Sequence, residues 1–528
     1  MALTAYATAR DDHAAITTRL QPAQTPWTRG WRSWLLPLGM TAIGALLRWP
    51  HLGRPNKIMF DETYYAKDAY AMLTHGAEWD WKANADKSIA LAHGDPSKID
   101  NLFKETPAFI VHPPVGKWVI ALGEHLFGMT PFGWRFMAAL LGTLLILLTA
   151  RLVLRITQSP AIAAFTGLFL AIDGVSIVMS RTALLDGTLT FWVMCAAMCV
   201  ARDRDAIRGT TAMKIRSAAE PESLLQQWRS AGISFGYRPW LWAGGLCLGL
   251  AVATKWSALW HMAFFGLLVL FYGSSTRKLL GIKNSFVHTL KRDAVVTGIA
   301  FVVTVAVVYV ASWAGWFATP GAYNRQWAST NAATGVLAFV PAAFRSWLHY
   351  HEMMWNFHVH LTNGHSYKAN AWSWPIMGRP TSFYYETTGK CGAPTCSSEV
   401  TALGNPIIWW AGLLALLHQA GQWLSKRDFR AMFIVVGWLA GWLPWLLFQH
   451  RTIFTFYAII LIPFTCMALA RSCVQILEGK DHRTGRAVAI ASVVLAALAF
   501  TWFFLPVWTA QYMPYAKWGL RMWFATWI

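Results

Sequence analysis

Apolar stretches of about twenty residues recur along the chain and set its organisation. They fall at 33–50, 132–154, 160–179, 184–201, 239–256, 257–275, 294–316, 404–424, 431–448, 453–474 and 487–508. Each is long enough for a helix to cross the hydrocarbon of a bilayer. The pattern therefore predicts an all-α polytopic membrane protein with about eleven transmembrane helices. Two joints are tight: Ser180-Arg181-Thr182 alone separates the third span from the fourth, and the fifth meets the sixth at Lys255. Residues 1–30 are polar and lack the apolar core of a cleavable signal peptide.

Polar residues divide the remainder. A tail covers 1–32, and an N-terminal transmembrane module covers 33–316 and carries a long loop, 51–131. A second long loop spans 317–403, the C-terminal helices 404–508, and a final tail 509–528. Both loops are rich in Trp, His and Tyr. Amphipathic pieces at 64–76 and 112–127 predict helices lying along a membrane surface.

Composition sharpens the class. Hydrophobic residues make up 55% of the 528 positions and charged residues only 13%, against about 25% charged in a soluble domain. The 32 Trp suit aromatic belts at bilayer interfaces. The net charge of +20 would suggest nucleic acid in a soluble protein. Here the cations sit in short loops instead: Arg202, Arg204, Arg208, Lys214, Arg216, Arg229 and Arg238; then Arg277, Lys278, Lys283, Lys291 and Arg292. Lys426, Arg427 and Arg430 follow, and Lys480, Arg483 and Arg486. With eleven spans these loops and the N-terminus share one side, which the positive-inside rule makes cytoplasmic. The two long loops and the C-terminus then face outward, from the cell membrane, and no nucleic-acid partner is expected.

The candidate chemistry lies almost wholly on that outer side. Asp61 and Glu62 follow the first span and point in different directions on a helix or strand. Two readings stand: a general base for a hydroxyl nucleophile, or an ion pair with a nearby cation. Lys117 lies in His112-Pro113-Pro114-Val115-Gly116-Lys117-Trp118, where the prolines fix a helix entrance. Arg135 opens the second span, able to snorkel to headgroups, to meet a phosphate or to pair with Glu62. Asp173 lies in the third span; Asp186 stands five residues from Arg181, which suggests a neutralised pair. Lys255 is a lone cation between two apolar runs, with a phosphate as its expected partner. Arg451, in the turn Gln449-His450-Arg451-Thr452, is either buried near the surface or free to clamp a phosphate.

The densest segment holds His349, His351, His358, His360 and His365, then Trp372, Trp374 and Arg379. Only Glu352 accompanies the histidines, so sugar and lipid contacts are favoured over a metal site, although a divalent metal stays conceivable. Cys391 and Cys396 form a short-loop disulfide if they face the oxidising side and are free thiols otherwise. No Walker loop or Rossmann glycine pattern appears. A donor already activated in the membrane, such as a sugar on a polyprenyl phosphate, fits this inventory. Cations would stabilise the departing phosphate.

The motifs FDETYY (60–65), HPPVGKW (112–118), GWRF (133–136), SRTALLDG (180–187) and ATKWSAL (253–259) come in this order. HSYKANAWSWPIMGRP (365–380), HRTIF (450–454) and FYAIILIPF (456–464) follow. Together they resemble the protein O-mannosyltransferase family, membrane glycosyltransferases of the GT-C type, in a bacterial, actinobacterial-type form. The resemblance implies inverting transfer of mannose from polyprenyl-phosphate mannose to Ser or Thr hydroxyls of exported proteins, with no cofactor required. It implies Asp61 as base, Glu62 as a supporting acid and Arg135 as its partner. Arg181, Asp186, Lys255 and Arg451 match family motif positions. Eukaryotic members insert a β-trefoil MIR domain in the second long loop; 317–403 is too short to hold one. Acceptor selection would then come from elsewhere, such as coupling to the Sec translocon. A GT-C enzyme acting on a lipid or cell-wall glycan is the nearest alternative. A lipid-linked-sugar flippase is a more distant one, because it predicts repeat symmetry that the chain lacks.

Overall fold

The structure, a computed structural model, describes residues 13–21, 24–479 and 481–528. Lys480 of the predicted basic turn, and residues 1–12 and 22–23 of the predicted N-terminal tail, lie outside the described residues.

Every predicted apolar stretch is helical. The first is α1 (Arg32–Arg48). After it, the first long loop folds into α2 (Glu62–His75), a hairpin of β1 (Trp79–Trp81) with β2 (Phe103–Pro107), and α3 (Val115–Phe127). The bundle continues with α4 (Pro131–Thr157), α5 (Pro160–Ile172), α6 (Gly174–Met179), α7 (Leu185–Ser217), α8 (Pro239–Val252) and α9 (Ala258–Leu279). Then comes α10 (Ser285–Ser312), a continuous helix with two π-helical turns. The second long loop holds α11 (Ala342–His360) and the strands β3 (Ser382–Glu386) and β4 (Cys396–Thr401). The chain closes with α12 (Pro406–Lys426), α13 (Phe429–Leu447), α14 (Thr455–Leu477), α15 (Arg483–Trp508) and β5 (Met513–Pro514).

Seven of these helices (α4, α7, α9, α10, α13, α14 and α15) are long and apolar enough to cross a membrane, and α5 and α8 are shorter apolar helices. The helix starts follow local chemistry. Thr130, Ser159 and Asn405 accept from the first free N–H groups of α4, α5 and α12, each with proline at the first helical position. The predicted span 160–179 is broken at Asp173. Its carboxylate accepts from the Ser176 N–H and starts α6 afresh. The joint at Lys255 proves to be a turn between α8 and α9. The surface helices predicted at 64–76 and 112–127 correspond to α2 and α3. The apolar pattern did not give the two small antiparallel sheets, β1–β2 and β3–β4–β5.

Burial sorts the bundle. The apolar window of α14 is 89% buried, whereas those of α10 and α15 are 22% buried. The outward apolar side chains of α10 and α15, such as Val295, Val307, Leu495 and Trp502, are exposed, a surface suited to acyl chains rather than water. α7 packs against α4, α8 and α9. The two long loops meet at one end of the bundle, where Tyr350 of α11 donates to the Ile110 carbonyl at 3.2 Å.

Candidate active site

Phe60 turns the chain into α2 through a left-handed backbone conformation, φ 48°, an unusual state for a bulky residue. Its ring stacks on Phe383 at 4.9 Å and meets Phe456 at 5.6 Å and Phe454 at 5.8 Å. This aromatic clasp holds the turn, and the two acids beyond it diverge.

Glu62 points inward and is 0% exposed. Arg135 Nε donates to Oε1 and Nη2 to Oε2, both at 2.8 Å. The Ala183 and Met59 N–H groups donate to the same carboxylate at 3.0 and 3.2 Å. Arg135 gives its remaining N–H groups to the carbonyls of Leu52 (3.4 Å), Pro55 (2.9 Å) and Lys57 (2.8 Å). All five guanidinium donors are used. Of the roles open to Arg135, headgroup, phosphate or Glu62, the structure takes the third, and no donor remains for a phosphate.

Asp61 caps the same helix yet is half-buried, and its carboxylate accepts no hydrogen bond from any described side chain or N–H group. Burial pushes its carboxyl up to about 6, with Lys255 pulling it down and Asp186 pushing it up. The ion-pair reading of the dipeptide thus falls on Glu62, and Asp61 is left without a pair among the described residues.

Asp186 lies in the first turn of α7 and Lys255 in the turn between α8 and α9. Lys255 Nζ donates to Oδ1 of Asp186 at 2.8 Å and to Oδ2 at 3.1 Å, and sits 4.0 Å over the Tyr457 ring. Asp186 therefore pairs with Lys255, not with Arg181. Arg181 instead donates to the carbonyls of Arg48 (2.5 Å), Pro50 (2.9 Å) and His51 (2.9 Å). It neutralises the carbonyl end of α1, because the bend around 180–184 points it there.

The HPPVGKW motif docks onto the Lys255 turn through the Val115 N–H, 3.0 Å from the Ala253 carbonyl. Gly116 permits that approach: a Cβ there would stand 2.7 Å from Leu185 and 2.9 Å from Thr254. His112 consequently lies beside His358 (ring centroids 5.1 Å apart) and Tyr65 (6.2 Å). Burial, with Lys255 and other nearby cations, holds its imidazole well below 6.5, so the ring is neutral. His358 Nε2–H donates to the Val111 carbonyl at 2.7 Å, and its Nδ1 accepts from Arg451 Nη2 at 2.9 Å. Arg451 Nε is buried with no partner among the described residues.

The other expected binding residues are placed differently. Lys117 is buried against Glu78 in an ion pair, so its charge is already matched within the protein. Trp374 is fully buried: its indole N–H donates to Ala369 and its ring packs on Trp445 and Tyr457, so it supports the site from behind. Arg379 donates to the carbonyls of Ser366 and Thr526 and ties the C-terminus down. Asp173 accepts from Ser176, Asn405 and Trp409 within the core. His365 is exposed at the site's edge, 6.1 Å from the Phe60 ring. The histidine-rich segment disperses. His349 meets Glu352 and Trp327, His351 meets Tyr309, and His360 bonds its own helix. Among the described residues no group of three His, Cys, Asp or Glu side chains is placed to hold a metal. Cys391 and Cys396 are joined as a disulfide.

The structure thus gathers Asp61, Asp186, Lys255 and Arg451, and adds His112, His358, Tyr65 and Tyr457. The histidines lay in segments already conspicuous for proline and histidine. Nothing in the sequence separates Tyr457 from its aromatic neighbours.

Comparison with known proteins agrees with this architecture. The family described as dolichyl-phosphate-mannose-protein mannosyltransferase matches residues 38–314. The C-terminal four TMM region of protein-O-mannosyltransferase matches residues 343–527. The polyprenol-phosphate-mannose–protein mannosyltransferase of Mycobacterium tuberculosis is 32% identical over 94% of this chain and 92% of that protein. Its counterpart from Corynebacterium glutamicum is 33% identical over 79% of this chain and 81% of that protein. The Saccharomyces cerevisiae Pmt1-Pmt2 complex bound to the sugar donor matches with a TM-score of 0.69 over 98% of this chain and 94% of that chain, at 14% identity. ArnT from Cupriavidus metallidurans bound to undecaprenyl phosphate matches with a TM-score of 0.50 over 91% and 77%, at 15% identity. At such identities the structural matches speak for the GT-C fold alone. By its matched regions and its relatives, the chain belongs to the dolichyl-phosphate-mannose-protein mannosyltransferase family.

Proposed function

We propose that this protein transfers mannose from polyprenyl-phosphate mannose to Ser or Thr hydroxyls of proteins. The observation that carries the reading is the unbonded Asp61 carboxylate beside Lys255, a cation that itself lies near Arg451. The names of the similar mycobacterial and corynebacterial proteins support the donor and the kind of acceptor.

Asp61 accepts the proton of the acceptor hydroxyl. The oxygen attacks C1 of mannose from the face opposite the phosphate, the C1–O bond to the phosphate breaks, and the configuration inverts. Polyprenyl phosphate leaves with the bonding pair. Lys255 and Arg451 stabilise the negative charge as it develops. Asp186 and Tyr457 hold Lys255 in place, and the neutral His358 orients Arg451. These side chains supply charge that a divalent cation provides in other transferases, so the reading asks for no metal cofactor. His365, at the edge beside Phe60, would meet the acceptor or the sugar.

The basic loops support a cell-membrane topology with this site facing outward and the N-terminus in the cytoplasm. Acceptors would then be exported polypeptides, met in extended form as they leave the Sec translocon.

The test is purified protein with labelled polyprenyl-phosphate mannose and a Thr/Ser/Pro/Ala-rich peptide. The expected product is a mannosyl peptide whose anomeric configuration is opposite to that of the donor, with activity retained in chelator. Transfer to lipid or glycan with none to peptide would overturn the acceptor assignment.

A further inference from the structure

At the opposite end of the bundle from Asp61 lies a cavity of about 520 Å³ lined by Arg19, Arg155, Arg204, Arg208 and Arg430. Its place follows from the helices. Arg204 is eighteen residues beyond Asp186 on α7, and Arg155 twenty beyond Arg135 on α4. At 1.5 Å per residue these are about 27 and 30 Å, the depth of a bilayer's hydrocarbon. A second cavity of about 430 Å³ adjoins it, shares Arg155 and Asp205, and opens past Arg151 and Trp34.

Five arginines face two acids in the first cavity, Asp205 and Asp428. The two acids neutralise only part of the group. Asp428 is engaged by Arg471 at 2.6 Å and by the Arg430 N–H at 2.8 Å. Asp205 takes Arg155 at 2.7 Å and reaches Arg204 only at 3.5 Å. Arg204 packs its guanidinium 4.0 Å over Phe429, and its Nε is buried with no partner among the described residues. The guanidinium groups of Arg19 and Arg430 donate to no described residue. Arg208 is held by the carbonyls of Arg19 and Leu20, whereas the exposed Arg19 and Arg430 and the buried Nε of Arg204 keep donors free among the described residues. Guanidinium groups from three separate stretches of chain and the head of α13 thus line one concavity with an excess of positive charge. An anion offsets that charge, and planar guanidinium forks match the oxygens of a phosphate.

We propose that this cavity is a second binding site, for a phosphate group, on the face remote from sugar transfer. Its position at bilayer depth beside Trp34 and Arg151, which stacks 4.0 Å over that indole, suits a lipid headgroup phosphate. A free phosphate compound presents the same oxygens, and the experiment separates the two sources. The site does not depend on the transferase reading.

The test is a thermal-shift titration of the full chain in neutral detergent with short-chain phosphatidylglycerol, phosphatidylcholine or inorganic phosphate. We expect a saturable rise in Tm with phosphatidylglycerol. A rise with inorganic phosphate at similar concentrations would assign the site to a soluble phosphate compound, and none would assign it to the lipid. Arg430→Gln should weaken binding about tenfold, the loss of one charge-assisted hydrogen bond, and Arg204→Gln/Arg430→Gln should abolish saturation. Arg19 and Arg430 are exposed, so Arg19→Gln/Arg430→Gln gives a folded comparison if the Arg204 variant does not fold. An equal response to phosphatidylcholine and phosphatidylglycerol, no response to any of the three, or variants that titrate like the wild type would overturn the proposal.

Discussion

Asp186 and Asp203 stand seventeen residues apart on α7, about 26 Å along its axis, and each meets a cation from outside its own helix. The two ends are nevertheless built differently. Around Asp203 every carboxylate oxygen is filled. Asp203 accepts from Arg238, Nε at 3.2 Å and Nη2 at close range, and from the Tyr272 hydroxyl at 2.5 Å. Asp293 beside it accepts from Arg277 at 2.6 and 3.1 Å. Around Asp186 the pairing stops short. Lys255 is neutralised, but the Asp61 carboxylate accepts nothing; buried N–H groups without a partner among the described residues occur at both ends, Arg451 Nε here and Arg238 Nη1 and Arg277 Nε there. A carboxylate whose oxygens are filled locks helices together, whereas an unfilled one stays available to a substrate. The same contrast recurs within two residues at Glu62 and Asp61.

Substitutions at the two ends should therefore fail in different ways. The largest effect is expected at Asp61. Asp61→Asn should lower mannose transfer by about a thousandfold with Tm essentially unchanged, measured by initial rate and thermal melt. Asp203→Asn and Glu62→Gln should do the reverse. Each breaks a buried pair, at a cost of about 3–5 kcal/mol, and the loss should appear in the melt while activity per folded molecule survives. If Asp203→Asn lost activity without losing stability, the contrast between the ends would fail. Lys255→Met comes next. Removing a charge that supports the phosphate should cost about a hundredfold in kcat/KM. It should also raise the pH at which activity falls away, because Lys255 pulls the Asp61 carboxyl down. Arg451→Gln is the mildest, with about a tenfold loss seen mainly in donor KM.

How much of this was legible in the sequence depends on the range of the interaction. Helix positions were legible because an apolar window reports removal from water, whether into protein or into lipid, and the caps at Thr130, Ser159 and Asn405 are local. The acidic pair and its partner Arg135 were legible through motifs. The fate of individual cations was not. Arg181, Arg379 and Lys117 look like Lys255 and Arg451 in sequence. Arg181 and Arg379 are captured by backbone carbonyls at a helix end and in the C-terminal segment, and Lys117 by Glu78, thirty-nine residues upstream. Which carbonyl or carboxylate reaches a cation first is set by packing between distant segments. Trp374 was misplaced for a related reason: an aromatic that stacks on sugar and one that backs a site have the same local signature. The short strands of 382–401 and the break at Asp173 likewise depend on partners elsewhere in the chain, Met513 and Asn405 among them.

The central claim is that Asp61, and not its neighbour, takes the acceptor proton. The most direct measurement is the pH dependence of kcat/KM for peptide mannosylation by wild type and Asp61→Asn. A carboxyl held up at about 6 is protonated and inactive below that value. Wild-type activity should therefore fall with unit slope as pH drops through about 6, and the residual activity of Asp61→Asn should show no such limb. A flat wild-type profile through that range, or the same limb persisting in Asp61→Asn, would contradict the assignment.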